Sequence, residues 1–211
     1  FKMILRENTL IIFSSDHGDM MGDFGLFAKS FPFEGSVHVP FIASCPDIVT
    51  PGIYREATEI TDIVATFLEL AGGKGVREHL PESPSQSLIN LWQGGTLQRR
   101  YAFSENGYQF QSPFELLTDG TWKYIFYTFS GKESLYNLEE DPTEQNDLAN
   151  SMPKKIHDFR HLLLRRKGST PPQNPPEWIY QEIYNTKELN PHRCHHGGLK
   201  EHPNEGLINI E

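Results

Sequence analysis

The residues best placed to do chemistry stand early in the chain. Asp16 and His17 are adjacent in the run Ser14-Ser15-Asp16-His17-Gly18-Asp19, and an ionised carboxylate beside an imidazole can hold a divalent cation. Downstream come Gly22-Asp23, Gly25-Leu26-Phe27 and Lys29, then the segment Pro32 to Pro40 that carries His38. The glycines let backbone approach a ligand closely, and Lys29 supplies a compact positive charge. A bound cation together with an ammonium group makes a pocket for an anion.

These residues need a scaffold that brings them to one edge. The apolar run Thr9 to Phe13 breaks directly into the Asp-His segment. Such a short, nearly continuous apolar stretch reads as a buried central parallel strand that delivers residues at its carboxyl end, where ligands bind in open α/β sheets. Val39 to Ala43 reads as a second strand. Thr61 to Ala71 reads as a helix, with Ile63, Val64, Phe67, Leu68 and Ala71 at helical spacing behind a Thr61-Asp62 start and ahead of Gly72-Gly73. Residues 73 to 95 are rich in Gly, Pro and Ser, with order expected only at Leu88 to Trp92, and a boundary is expected near Gly94-Gly95.

Beyond that boundary the pattern turns antiparallel. Tyr101 to Glu105, Phe114 to Thr118, Trp122 to Tyr127 and Glu133 to Leu138 read as strands, the middle two joined through Asp119-Gly120, a strong hairpin signal. Lys154 to Arg166 reads as an amphipathic helix with Ile156, Phe159, Leu162 and Leu163 on one side. From Gly168 the chain is rich in Pro and His and reads as an extended tail, with one helical stretch at Glu177 to Tyr184. The expected division is residues 1–95, a core; 96–167, a small antiparallel sheet with a helix; and 168–211, the tail. The six residues before Glu7 read as the last turns of a helix, and the chain reads as the interior of a longer polypeptide.

Composition removes several function classes. With 19 Lys and Arg against 28 Asp and Glu, the formal charge is −9, which leaves no surplus of cations for a nucleic-acid backbone. No apolar run approaches the length a membrane helix needs. Cys45 and Cys194 could form one disulfide or remain two thiols. His192-Arg193-Cys194-His195-His196 has zinc-binding residue types in no standard spacing and reads as part of a His-rich tail. His157 and His161, beside Lys154, Lys155, Arg160, Arg165 and Arg166, read as a solvated basic face. Trp122 to Tyr127 reads as cross-strand packing. His79 and Glu105 to Tyr108, in loops or at a strand end, could reach a substrate.

Three stretches together resemble the sulfatase family of the alkaline-phosphatase-like superfamily. The run TLIIFSSDHGDMMGDFGLFAKSFPFEGSVHVP, Thr9 to Pro40, is similar to the family's second metal-binding segment and its sulfate-contacting lysine block. TEITDIVATFLELAG, Thr58 to Gly72, is similar to the unit that follows it, and LYNLEEDPTEQNDLA, Leu135 to Ala149, to a motif near the family's carboxyl terminus. The resemblance implies an α/β fold: part of an alkaline-phosphatase-like sandwich with a small C-terminal α+β subdomain, an antiparallel sheet plus a helix. It implies the carboxyl-terminal portion of a sulfuric ester hydrolase, with a phosphonate monoester or phosphodiester hydrolase, or a non-catalytic fragment, as alternatives.

Carried over by position, Asp16 and His17 become ligands of a divalent cation, calcium by the family's habit, with manganese left open by the imidazole. Lys29 becomes the catalytic contact to a sulfate oxygen and His38 a further substrate contact. The implied substrate is a sulfated small molecule or glycan, and the implied compartment is periplasmic or secreted. Phe24 stands where relatives often carry His, which suggests a hydrophobic wall to the substrate pocket. His38 stands where Arg is usual, a titratable group in place of a permanent charge. The family's formylglycine arises from Cys or Ser in Cys/Ser-x-Pro-x-Arg, and no such sequence occurs among the 211 residues. That group, and the Asp-Asp metal pair that accompanies it in the family, is expected in an amino-terminal half of the same polypeptide, and this chain alone is expected to be inactive.

Overall fold

The computed structural model describes residues 8–72, 84–106, 113–128 and 130–166. The expected helical turns before Glu7, His79, Tyr108, Cys194, the His-rich tail and the Glu177 to Tyr184 stretch lie outside these residues. Contacts divide the chain into two compact units, one made of Phe1–His17 with Val39–Ala102 and the other of Gly18–His38 with Phe103–Glu211.

In the first unit, β1 (Ile11–Phe13) pairs with β2 (Ile42–Ser44) through the register Ile11↔Ser44, Ile12↔Ala43 and Phe13↔Ile42. The pairing is antiparallel, which corrects the expectation of a central parallel strand. A run apolar at every position does not encode strand direction, because direction depends on which strand lies alongside. Nor is the strand buried on both faces. Leu10, Ile12 and Ala43 pack with Leu88, Leu91 and Trp92, while Ile11, Phe13 and Ile42 are exposed.

Helix α2 (Asp62–Leu70) lies where the spacing predicts it. Its inner face differs from the expected apolar stripe: Asp62, Ala65 and Thr66 are buried, whereas Val64 and Phe67 are half exposed. Hydrogen bonds explain the choice. Asp62 accepts from the backbone N–H groups of Glu59 at 2.8 Å and Gln86 at 2.9 Å and pairs with the Arg99 guanidinium. Thr66 Oγ1 donates to the Asp62 carbonyl at 2.7 Å and accepts from the Leu88 N–H at 3.0 Å. These bonds fasten the segment before α3 (Ile89–Trp92) onto α2.

The second unit is built on a sheet of four strands in the order β3 (Ala102–Asn106), β4 (Phe114–Thr118), β5 (Trp122–Tyr127) and β6 (Glu133–Asn137). β4 and β5 pair antiparallel from Phe114↔Tyr127 to Thr118↔Lys123, as the Asp119-Gly120 turn predicts. Asp119 closes that turn by accepting from the N–H groups of Thr121 and Trp122. Gly120, at φ 91°, takes the left-handed conformation a side chain would resist. One sheet face packs Phe114, Leu116, Ile125 and Tyr136 with Phe33 and Val37. Helix α4 (Pro153–Arg166) buries Ile156, Phe159, Leu163 and Leu164, and Phe159 stacks on Tyr124 with ring centroids 5.8 Å apart. Glu133 bonds both Tyr124 Oη and the Arg160 guanidinium, so an ion pair seals the edge of that contact.

Breaking the Asp62–Arg99 pair leaves an uncompensated charge, so Asp62→Asn is expected to destabilise the chain by about 3–5 kcal/mol. Phe67→Ser, on the open face of the same helix, is expected to change stability by less than about 0.5 kcal/mol. Urea unfolding of the two variants beside the parent measures both; equal losses would contradict this assignment of the inner face.

Candidate functional site

Asp16 and His17 follow β1 directly and lie in the first unit. The Asp16 Oδ1 accepts from the His17 backbone N–H at 3.1 Å, and Ser15 Oγ donates to the His17 carbonyl at 2.7 Å. That local bonding holds Oδ2 of Asp16 3.5 Å from Nε2 of His17, with the carboxylate largely exposed and the imidazole partly so. Two donors at that separation can touch one ion at ordinary ligand distances of about 2.0–2.6 Å. The donor set therefore fits a divalent cation but does not complete its shell, since calcium takes about 6–8 oxygen ligands. Among the described residues, no group of three or more His, Cys, Asp and Glu side chains is arranged to hold a metal.

Gly18 opens the second unit with a close backbone approach. Its N–H donates to the Ser36 carbonyl at 2.8 Å, and a Cβ there would fall 2.1 Å from the Gly35 carbonyl oxygen. This glycine serves chain packing. Residues 20–30 then form a tight loop in which Met21, Phe24, Ala28 and Ser30 all have positive φ. Such conformations cost of order 1–3 kcal/mol each for residues with a side chain and persist only where the surroundings enforce them. Here the Met20 N–H donates to the Ala28 carbonyl at 3.0 Å, and Asn106 Nδ2, from β3, donates to the Ser30 carbonyl at 2.9 Å. Lys29, between the two held carbonyls, is exposed. Phe24 stacks on Phe33 with centroids 4.2 Å apart and keeps part of its ring exposed.

His38 ends α1 (Glu34–Val37) with its side chain 75% exposed, and its Nδ1 bonds Glu34 Oε2 at 2.6 Å. The other Glu34 oxygen meets the Lys123 ammonium at 2.6 Å. Lys123 is fully buried in β5 and also bonds Glu144 Oε1 at 2.7 Å. Glu144 Oε2 in turn accepts the Glu34 backbone N–H at 2.7 Å. Burial works against ionising Glu34, yet the His38 hydrogen bond and the Lys123 charge overcome it and hold its carboxyl down at about 2. Burial pushes Glu144 up, against the pull of Lys123.

Sequence reasoning named His38 and Lys29, and Asn106 within Glu105 to Tyr108, but missed Glu34, Lys123 and Glu144. A lysine inside the apolar strand Trp122 to Tyr127 was the available signal, because a buried ammonium requires carboxylate partners. His157 and His161 lie side by side on α4, their rings tilted with centroids 4.1 Å apart. Cys45 is buried.

Residues 2–73 match the family model described as Sulfatase. The chain is 34% identical over 145 residues to the choline-sulfatase of Rhizobium meliloti, covering 69% of this chain and 28% of that protein. It is 32% identical over 167 residues to an arylsulfatase of Clostridium perfringens, covering 75% and 34%. Among solved structures it resembles the phosphonate monoester hydrolase of Agrobacterium radiobacter, at 25% identity and a TM-score of 0.61, covering 77% of this chain and 35% of that one. The chain thus spans about a third of the length of the curated relatives it matches.

Because the folded-state carboxyl of Glu34 lies below its unfolded value, its contribution to stability is full above about pH 4.5 and is lost as the pH falls toward about 2. Glu34→Gln is therefore expected to flatten the acid limb of a stability–pH curve measured by urea unfolding. A limb as steep as the parent's would show that Glu34 does not carry it. With α/β architecture of the alkaline-phosphatase-like type, the Sulfatase match over residues 2–73 and these sulfatase relatives, the chain belongs to the sulfatase family.

Proposed function

We propose that this chain supplies the carboxyl-terminal portion of a sulfuric ester hydrolase. Residues 1–95 would belong to its catalytic core, 96–167 to the small subdomain and 168–211 to the tail. The observation that carries the reading is the pair of exposed donors, Asp16 and His17, held 3.5 Å apart at the end of a strand inside the family-matched segment. A divalent cation held there, calcium by family habit with manganese as the alternative, would draw charge from the ester oxygens. Lys29 contacts a sulfate oxygen and neutralises charge as the S–O bond to the leaving alcohol breaks, a role that needs a fixed cation and no proton transfer. The hydrogen bonds that fix the carbonyls of Ala28 and Ser30 supply that fixity. His38 contacts the same anion.

The nucleophile, a formylglycine in the family, and the acid for the leaving group lie outside this chain, in the amino-terminal half of the polypeptide. The substrate is a sulfated small molecule or glycan and the compartment periplasmic or secreted. A second reading, a phosphonate monoester or phosphodiester hydrolase, draws on the likeness to the Agrobacterium enzyme.

Assay of the full-length polypeptide on an aryl sulfate and an aryl phosphonate ester separates the two chemistries; turnover of the phosphonate alone would reject the sulfatase reading. Lys29→Ala is expected to lower kcat/KM on the preferred ester by about 10²–10³, the scale of losing one charge-stabilising donor. Unchanged turnover would remove Lys29 from the site. Dialysis against EDTA is expected to abolish activity, and addition of calcium or manganese to restore it.

A further inference from the structure

The sulfatase reading leaves Glu34 without a role, yet this carboxylate stands between an exposed imidazole and a buried ammonium. One oxygen bonds His38 Nδ1 and the other meets Lys123 Nζ, both at 2.6 Å. The second carboxylate on Lys123, Glu144, is almost wholly buried and also takes the Glu34 N–H, so neither Glu34 nor α1 can drift from the cluster. Charge balance then bears on His38. Two carboxylates face one ammonium, which leaves one negative charge uncompensated when the imidazole is neutral. Protonated His38 removes it.

We propose that Glu34 is a positioning residue for His38: it anchors Nδ1, keeps the ring cationic and leaves Nε2–H to donate to an anionic ester oxygen, so that anion binding fades as the pH rises. The proposal deepens the sulfatase reading and rests on it for the identity of the anion. The groups that face His38 are Glu34 on its own helix and Lys123 on β5, with Glu144 one contact further, in the segment after β6. The hydrogen bond to Glu34 lifts His38 above the ordinary histidine value; burial and the Lys123 charge pull the other way, and the Glu34 charge adds to the lift. A group raised in this way keeps its proton to a higher pH than an ordinary histidine and discharges above its folded midpoint. An arginine in this place would remain charged at every accessible pH.

The test has two readouts. The first is the NMR titration of His38 in the 211-residue chain. Its midpoint is expected to lie above that of an unfolded histidine and to drop by about one unit in Glu34→Gln, as it does when a neighbouring carboxylate is neutralised. An unchanged midpoint overturns the positioning role. The second is the pH dependence of KM for an aryl sulfate in the full-length polypeptide. KM should climb about tenfold per pH unit above the His38 midpoint, with kcat nearly level. In Glu34→Gln the climb should begin at lower pH, and in His38→Arg, which does not depend on refolding the cluster, it should vanish. A climb that persists unaltered in His38→Arg overturns the contact between His38 and the anion. Lack of turnover by the parent protein at any pH, alongside the NMR shift, refutes the sulfatase reading and the anion contact but upholds the Glu34–His38 coupling.

Discussion

The second unit depends on the buried ammonium of Lys123. A full charge removed from water costs several kcal/mol unless it is met at close range, and here two carboxylates meet it, at 2.6 and 2.7 Å. Each carboxylate comes from a different part of the chain, Glu34 from a four-residue helix and Glu144 from the segment beyond β6. A helix that short has no stability of its own. It is helical because Phe33 and Val37 pack on the sheet and because Glu34, at its first turn, is bound by both side chain and backbone. The electrostatic requirement of one strand residue thereby fixes the place of a segment more than eighty positions away in sequence, the segment that carries Lys29 and His38.

The first unit uses the same logic with opposite consequences for its surface. Asp62 and Thr66 take the inner face of α2 because they accept from the N–H groups of Glu59, Gln86 and Leu88 and from the Arg99 guanidinium, donors that burial would otherwise leave unsatisfied. The apolar residues Val64 and Phe67 are turned outward in consequence, as Ile11, Phe13 and Ile42 are on the strands. Among the described residues, this unit thus carries apolar surface that they leave uncovered.

Most elements were legible because their signals are local. Asp119-Gly120 specified a two-residue reversal, and the spacing of Ile156, Phe159 and Leu163 specified a helix face. Strand direction was not legible at Ile11–Phe13, since antiparallel or parallel pairing belongs to the neighbour and not to the run itself. The inner face of α2 was misread for a related reason: hydrophobic periodicity weighs Phe67 above Thr66, but a buried hydrogen bond with a distant N–H outweighs a methyl group in choosing which side turns inward. Of the candidate site, Asp16, His17, Lys29 and His38 stood out by residue type within a familiar pattern. Glu34, Lys123 and Glu144 did not, because their meaning lies in contacts with residues distant along the chain, which no local spacing records.

The alternation of backbone handedness around Lys29 bears on how this loop can evolve. With Ala28 and Ser30 both left-handed and each carbonyl already claimed by a fixed donor, deleting Lys29 or inserting a residue beside it would break the match between the two donors and the two carbonyls. Exchange of side chains therefore disturbs this segment less than a change in its length. Asparagine and glycine, the residues most at ease in that conformation, are the substitutions such drift should favour at the two flanking positions.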